Sequence, residues 1–223
     1  MTKWLARMEY KYGRSAPKNL ALVLVGGQIA VWLAVMLAYA PLLLLIDLDR
    51  AAILHGQVWR LVTFVFSPFT FDTNPLWFAL GLYLVYMIGT SLERAWGSFH
   101  FDVYLAMGVA GAWLACLVTG YGSNMGIYYS LFFAFAFLFP DTQLLLFFVL
   151  PVKVKWLGWL SGALYAWQVL LALLSFQWLS ALGLVIQLLP FLVFFGPGSV
   201  RWVKTTVEAK KRRREWQNQW RDR

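Results

Sequence analysis

The sequence predicts an all-α membrane protein, a bundle of six transmembrane helices with one long loop lying in the membrane interface. Three observations carry that prediction. Hydrophobic residues make up 61% of the 223 positions and charged residues only 13%, more apolar surface than one soluble core could bury. Five apolar runs hold no Asp, Glu, Lys, Arg or His over roughly the length that crosses a hydrocarbon core of about 30 Å, and a sixth, shorter run belongs with them. The charges collect at the chain ends and in the connecting segments.

Residues 1–19 form a basic segment with Lys3, Arg7, Lys11, Arg14 and Lys18. No apolar core precedes the first span, so that span is expected to anchor the chain rather than be cleaved as a leader. The six spans are expected over 20–46, 76–92, 103–118, 125–139, 156–174 and 179–195, within a membrane domain covering 20–200. A basic tail follows over 201–223, with Lys210 to Arg214 unbroken and Trp202, Trp216 and Trp220 around them. That tail reads either as a short helix on anionic headgroups or as a solvated stop-transfer segment.

With both termini cytoplasmic, the tails, Arg94, Lys153 and Lys155 hold 17 of the 19 basic residues, and the outer loops keep only Arg50 and Arg60. This positive-inside pattern fits an even number of spans. It accounts for the net charge of +9 without nucleic acid.

The loop over 47–75 is too apolar for a solvated connection. Its Trp, Phe and Val positions among polar residues suggest a segment wet on one side and lipid-facing on the other. Within the spans, Gln28, Gln168 and Gln187 are the long polar side chains, each expected to make an interhelical hydrogen bond. Gly122 with Gly126, Gly158 with Gly162, and Gly108 with Ala112 remove bulk where helices can approach. Cys116, the single cysteine, is expected as a small core residue. No metal or cofactor motif is present, and the sequence does not define an oligomeric state.

Several segments together resemble the rhomboid superfamily. Gly56-Gln-Val-Trp59-Arg60-Leu-Val-Thr63-Phe64 is similar to its Trp-Arg loop motif, and Glu93-Arg-Ala-Trp-Gly97 to its Glu-x-x-x-Gly motif. Ala-Phe-Leu-Phe-Pro140 and Pro151-Val-Lys153-Val-Lys155-Trp156 resemble the end of the fourth helix and the entry to the fifth in bacterial members. The resemblance runs over about 56–156. It implies a six-helix fold, a bacterial cytoplasmic (inner) membrane location, and an ancestry among intramembrane serine proteases. Independently of it, Trp59 and Arg60 read as an amphipathic ring beside a guanidinium able to bond lipid phosphate or loop carbonyls. Glu93, near the inner end of a span, is expected to cap or pair with nearby donors.

The catalytic positions that the resemblance implies are degenerate. Counting back from Pro140, the serine position falls on Met125 and the following glycine on Gly126, while Ser123 stands where the motif has its first glycine. A thioether has no proton to lose and forms no acyl intermediate. The histidine of the sixth span is missing, because no histidine follows residue 174. His55 and His100 are expected on opposite sides of the membrane. Counting from Glu93, the oxyanion-associated histidine and asparagine correspond to Trp77 and Gly81. Ser123 and Ser130 lack an evident base, and Ser130 is expected to bond a carbonyl of its own helix.

The resemblance therefore implies a pseudoprotease, similar in that respect to the derlin-like members, that binds transmembrane clients through a cavity lined by Met125, Trp77, Tyr128 and Tyr129. A protease with unorthodox residues is the enzymatic alternative. A bilayer-perturbing or lipid-handling protein, acting on membrane lipids through its loop and tail, is the third.

Overall fold

The computed structural model describes residues 17, 19–37, 42–68, 74–146 and 150–196. The basic segment 1–19, apart from 17 and 19, and the tail 201–223 lie outside the described residues, as do the two readings of the tail.

In the first apolar run helix α1 spans Leu20–Leu37 and a short helix, α2, spans Leu42–Ile46; positions 38–41 lie outside the described residues. The loop that follows is built rather than open: strand β1 (Leu48–Asp49), helix α3 (Arg50–Leu54), helix α4 (Arg60–Thr63) and a 3-10 turn over Phe64–Phe66. Asp49 caps α3, its carboxylate accepting from the backbone N–H groups of Ala51 and Ala52.

Helix α5 (Pro75–Trp96) opens with Asn74 accepting from the Leu76 N–H and Pro75 in the first turn, a start signal written in the sequence. It ends at Gly97, whose φ of 88° turns the chain directly into α6 (Ser98–Thr119). Helix α6 in turn ends at Gly120 in the left-handed conformation. Strand β2 (Tyr121–Gly122) then pairs antiparallel with β1, Leu48 opposite Gly122 and Asp49 opposite Tyr121.

Helix α7 spans Met125–Leu138. After it, β3 (Gln143–Leu146) and β4 (Leu150–Lys153) form an antiparallel hairpin that leads into α8 (Val154–Leu174). The last apolar run is broken into α9 (Trp178–Gln187) and α10 (Leu189–Phe195), bent by 50°. Pro190 explains the break, since it lacks the N–H that would continue the ladder to Ile186.

Two sequence expectations are corrected here. Helices dominate, but two small antiparallel ladders join the bundle, and the sixth span, expected to be continuous, is bent and broken. Among the described residues four helices, α1, α5, α6 and α8, are long and apolar enough to cross a membrane, and the bent pair makes up to five. Helix α7, with 14 residues, is about 21 Å long, short of a hydrocarbon core of about 30 Å.

Helix α6 is the hub, packing on α5, α7, α9, α10 and both short strands of the first ladder. Small residues permit this. A Cβ on Gly108 would lie 3.3 Å from Ile127, one on Gly111 3.1 Å from the Ile186 carbonyl, and one on Gly183 2.6 Å from Thr119. Gly122 and Gly158 likewise meet neighbours at van der Waals distance or less, whereas Gly162 faces open space. The small-residue pairing predicted for 158 and 162 therefore holds only at its first member. Tyr104, fully buried at the centre, donates its hydroxyl to the Ser130 carbonyl at 2.8 Å.

Candidate functional site

The chain enters α5 and α7 from the same end of the bundle, the end that carries the 47–75 loop. Trp77 and Gly81 lie in the first two turns of α5, and Met125 and Gly126 in the first turn of α7, which packs along α5. These four positions thus share one end of the fold. Met125 is 40% exposed and Trp77 43%, while Gly81 and Gly126 are buried.

Gly126 faces Gln187. A Cβ there would fall within the Gln187 side chain, so the absence of a side chain is what lets α9 close against the start of α7. Among the described residues the Gln187 amide makes no hydrogen bond, nor does that of Gln168, which is exposed. Of the three glutamines expected to bond between helices, Gln28 alone does so, its amide donating to the Tyr128 hydroxyl.

Tyr128, expected at a client-facing surface, is turned inward. It is 6% exposed, receives the Gln28 amide and donates to the Val65 carbonyl at 3.3 Å. Tyr129 stays half-buried, edge-on to Tyr165 at 5.3 Å between centroids. The Tyr165 hydroxyl donates to the Leu184 carbonyl on α9 at 2.8 Å. Asn124, which sequence reasoning passed over, ties the same place to the loop. Its amide donates to the Ser67 carbonyl at 2.6 Å and the Val65 carbonyl at 3.4 Å. An Asn just ahead of a helix was a visible signal, but a contact across 57 residues was not.

The loop itself is a hydrogen-bonded knot. Arg60 is 5% exposed; its Nη1 donates to the Asp47 carbonyl and its Nε to the Gln57 side-chain oxygen, both at 2.7 Å. Of the two roles expected for Arg60, bonding lipid phosphate or bonding loop carbonyls, the geometry selects the second. Trp59 is half-exposed, yet its indole N–H reaches the Leu45 carbonyl at 3.2 Å. Burial pushes the Asp47 carboxyl up from its usual range, partly opposed by the Ser67 hydroxyl and the Arg60 charge.

Glu93 and Gly97 belong to the opposite end of the bundle. Glu93, 9% exposed, accepts the Asn19 N–H at 2.8 Å and the Ser98 hydroxyl at 3.0 Å through one oxygen. It therefore caps the start of α1, as a carboxylate at a span end was expected to do. Gly97 supplies the left-handed turn that brings Ser98 back to it.

Among the described residues, acid–base partners do not converge at Met125. His55 is exposed, with Nδ1 2.7 Å from the Ala51 carbonyl of its own helix. His100 is buried in the first turn of α6, edge-on to Phe99, and about 28 Å of helix separates it from Thr119, where α6 reaches the other end. Ser130 is fully buried and donates to the Ile127 carbonyl at 3.0 Å, the own-helix bond expected for it. Ser123 is exposed and makes no hydrogen bond among the described residues. No group of three His, Cys, Asp or Glu able to hold a metal occurs among the described residues. Cys116 is buried, its thiol 3.7 Å from the Leu48 and Gly120 carbonyls.

Comparisons with protein-family models, with curated proteins and with solved structures each return no match to this chain.

Proposed function

We propose that the chain is a rhomboid-like pseudoprotease: a six-span protein of a bacterial inner membrane, both termini cytoplasmic, that binds transmembrane clients without cleaving them. One observation carries the reading. Where the resemblance calls for a serine and an imidazole, Met125 opens α7 and the Gln187 side chain lies across Gly126. Neither a thioether nor a carboxamide takes up a proton at neutral pH, so neither residue supplies the base that acyl transfer requires.

The packing supports a binding role. Helix α5 packs on α1, α6 and α7, and α8 on α7, α9 and β4, which leaves the face between α5 and α8 without extensive contact. Only Val154 and Tyr165 of α8 are buried. Trp159, Leu160, Leu164 and Trp167 are each more than half exposed, a lipid-facing surface on which a client helix can lie. Aromatic and methionine side chains suit varied partners there.

The test is a photo-crosslinking residue placed at Leu164, at Met125 and, as a control on another helix, at Leu22, in native membranes. Membrane-protein adducts at the first two positions and none at Leu22 are expected. A profile free of adducts at Leu164 and Met125, or identical at all three, rejects the client reading.

A further inference from the structure

A concave site lies at the far end of the bundle, away from Met125. Asn19, Leu22, Tyr86, Glu93, Arg94 and Ser98 line a half-open cavity of about 490 Å³ between the start of α1 and the end of α5, a volume in the range of ligand pockets. Helix α5, with 22 residues, is about 33 Å long, so its final turn reaches headgroup depth when it spans a bilayer.

The charges in the pocket are paired in sign. Glu93 uses one oxygen for Asn19 and Ser98, and among the described residues nothing donates to the other. A carboxylate can accept about four hydrogen bonds, so capacity is left for a cationic donor. The Glu93 carboxylate thus favours an ammonium, while Arg94, exposed at its edge, offers a guanidinium to a phosphate. Leu22 gives the same cavity an apolar side.

The geometry points to a site for a primary alkylammonium phosphate, the headgroup chemistry of an aminophospholipid, with the ammonium on Glu93 and the phosphate on Arg94. A choline headgroup carries the same charges but no N–H to donate, and a glycerol headgroup carries no cation, so the site discriminates among the three.

The test is native mass spectrometry of the purified chain after exposure to equimolar phosphatidylethanolamine, phosphatidylcholine and phosphatidylglycerol. Retention of the ethanolamine lipid about tenfold above the other two is expected, the factor that one charge-assisted hydrogen bond supplies. Glu93→Gln keeps an acceptor for Asn19 and Ser98, and so the fold, but should bring the three lipids to near parity. Leu22→Trp fills the cavity with the charges left in place and should lower retention of all three. Soluble phosphoethanolamine separates the sources. If it competes only weakly, the acyl chains contribute and the ligand is a lipid; if it binds tightly while lipid preference is absent, the same chemistry serves a free ligand. Equal retention of the three lipids together with no binding of phosphoethanolamine overturns the proposal, as does an ethanolamine preference that survives both substitutions.

Discussion

Arg60→Ala lowers the stability of the protein by about 3 kcal/mol, because it removes a buried guanidinium from two strong hydrogen bonds at once. The Asp47 carbonyl and the Gln57 oxygen, each 2.7 Å from Arg60, lose their donor in a place where water does not easily replace it. The Asp47 carboxyl also loses the one positive charge that opposes its desolvation. Its pKa in the folded state, already above the ordinary value, rises further in the variant. A carboxyl whose folded pKa exceeds its unfolded one contributes stability below the unfolded value and loses it as pH rises through the folded one. The deficit of Arg60→Ala should therefore be smaller near pH 4 than at pH 7.5. Thermal unfolding in detergent at both pH values measures it. A loss below about 1 kcal/mol, the range of an exposed polar side chain, would mean that Arg60 is a surface anchor and the loop is not a knot.

Gly122→Val should be of similar size, about 3 kcal/mol, at the upper end of what overpacking costs. A Cβ at 122 would stand 2.6 Å from Leu48 Cδ2, 3.1 Å from the Ala112 carbonyl and 3.1 Å from Cys116 Cβ. Leu48 could swing aside; the Ala112 carbonyl belongs to the backbone of α6 and cannot. The β1–β2 pairing, Leu48 opposite Gly122, must open to admit the side chain, and that pairing is one of the ties, with the Arg50 bonds to the Leu117 and Gly120 carbonyls, that hold the loop to the end of α6. Gly162→Val is the matched control, since nothing lies within 4 Å of a Cβ there. Hydrogen exchange over 48–66 should quicken in Gly122→Val and stay at the wild-type rate in Gly162→Val. Equal effects of the two substitutions would show that the cost does not come from close approach at 122.

Much of the architecture was legible because hydrophobic transfer is a sum over residues. Apolar runs announced the helices, and the bond of Ser130 to its own helix followed from its place inside one; the signals at Asn74-Pro75, Gly97 and Gly120 that end the helices went unread. Hydropathy is blind, however, to a missing N–H. Residues 179–195 carry no charge, so they read as a single span, although Pro190 breaks the run. The short ladders escaped notice for a related reason: Leu48-Asp49 and Tyr121-Gly122 are too short to show an alternation. They exist because α6 and the loop bring them together.

At the site, the residue types were legible and their directions were not. That Met125 carries no proton follows from the sequence alone. That Tyr128 points inward to Gln28 and Val65 while Tyr129 meets Tyr165 depends on which face of α7 the neighbours cover. Adjacent residues on a helix differ by about 100° in direction, so two neighbouring tyrosines could not both face one partner. Gln187 was visible as a polar residue in a span, but its place beside Gly126 comes from the bend between α9 and α10.

The central claim is that Met125 and the described side chains around the opening of α7 do not activate a hydroxyl. Treating the wild-type protein in native membranes with a fluorophosphonate probe tests it most directly, with Ser123→Ala and Ser130→Ala alongside. The account predicts no labelling of any of the three above the level of a heat-denatured control. Labelling of the wild type that disappears in Ser123→Ala would contradict it, for an activated serine would then exist at this mouth.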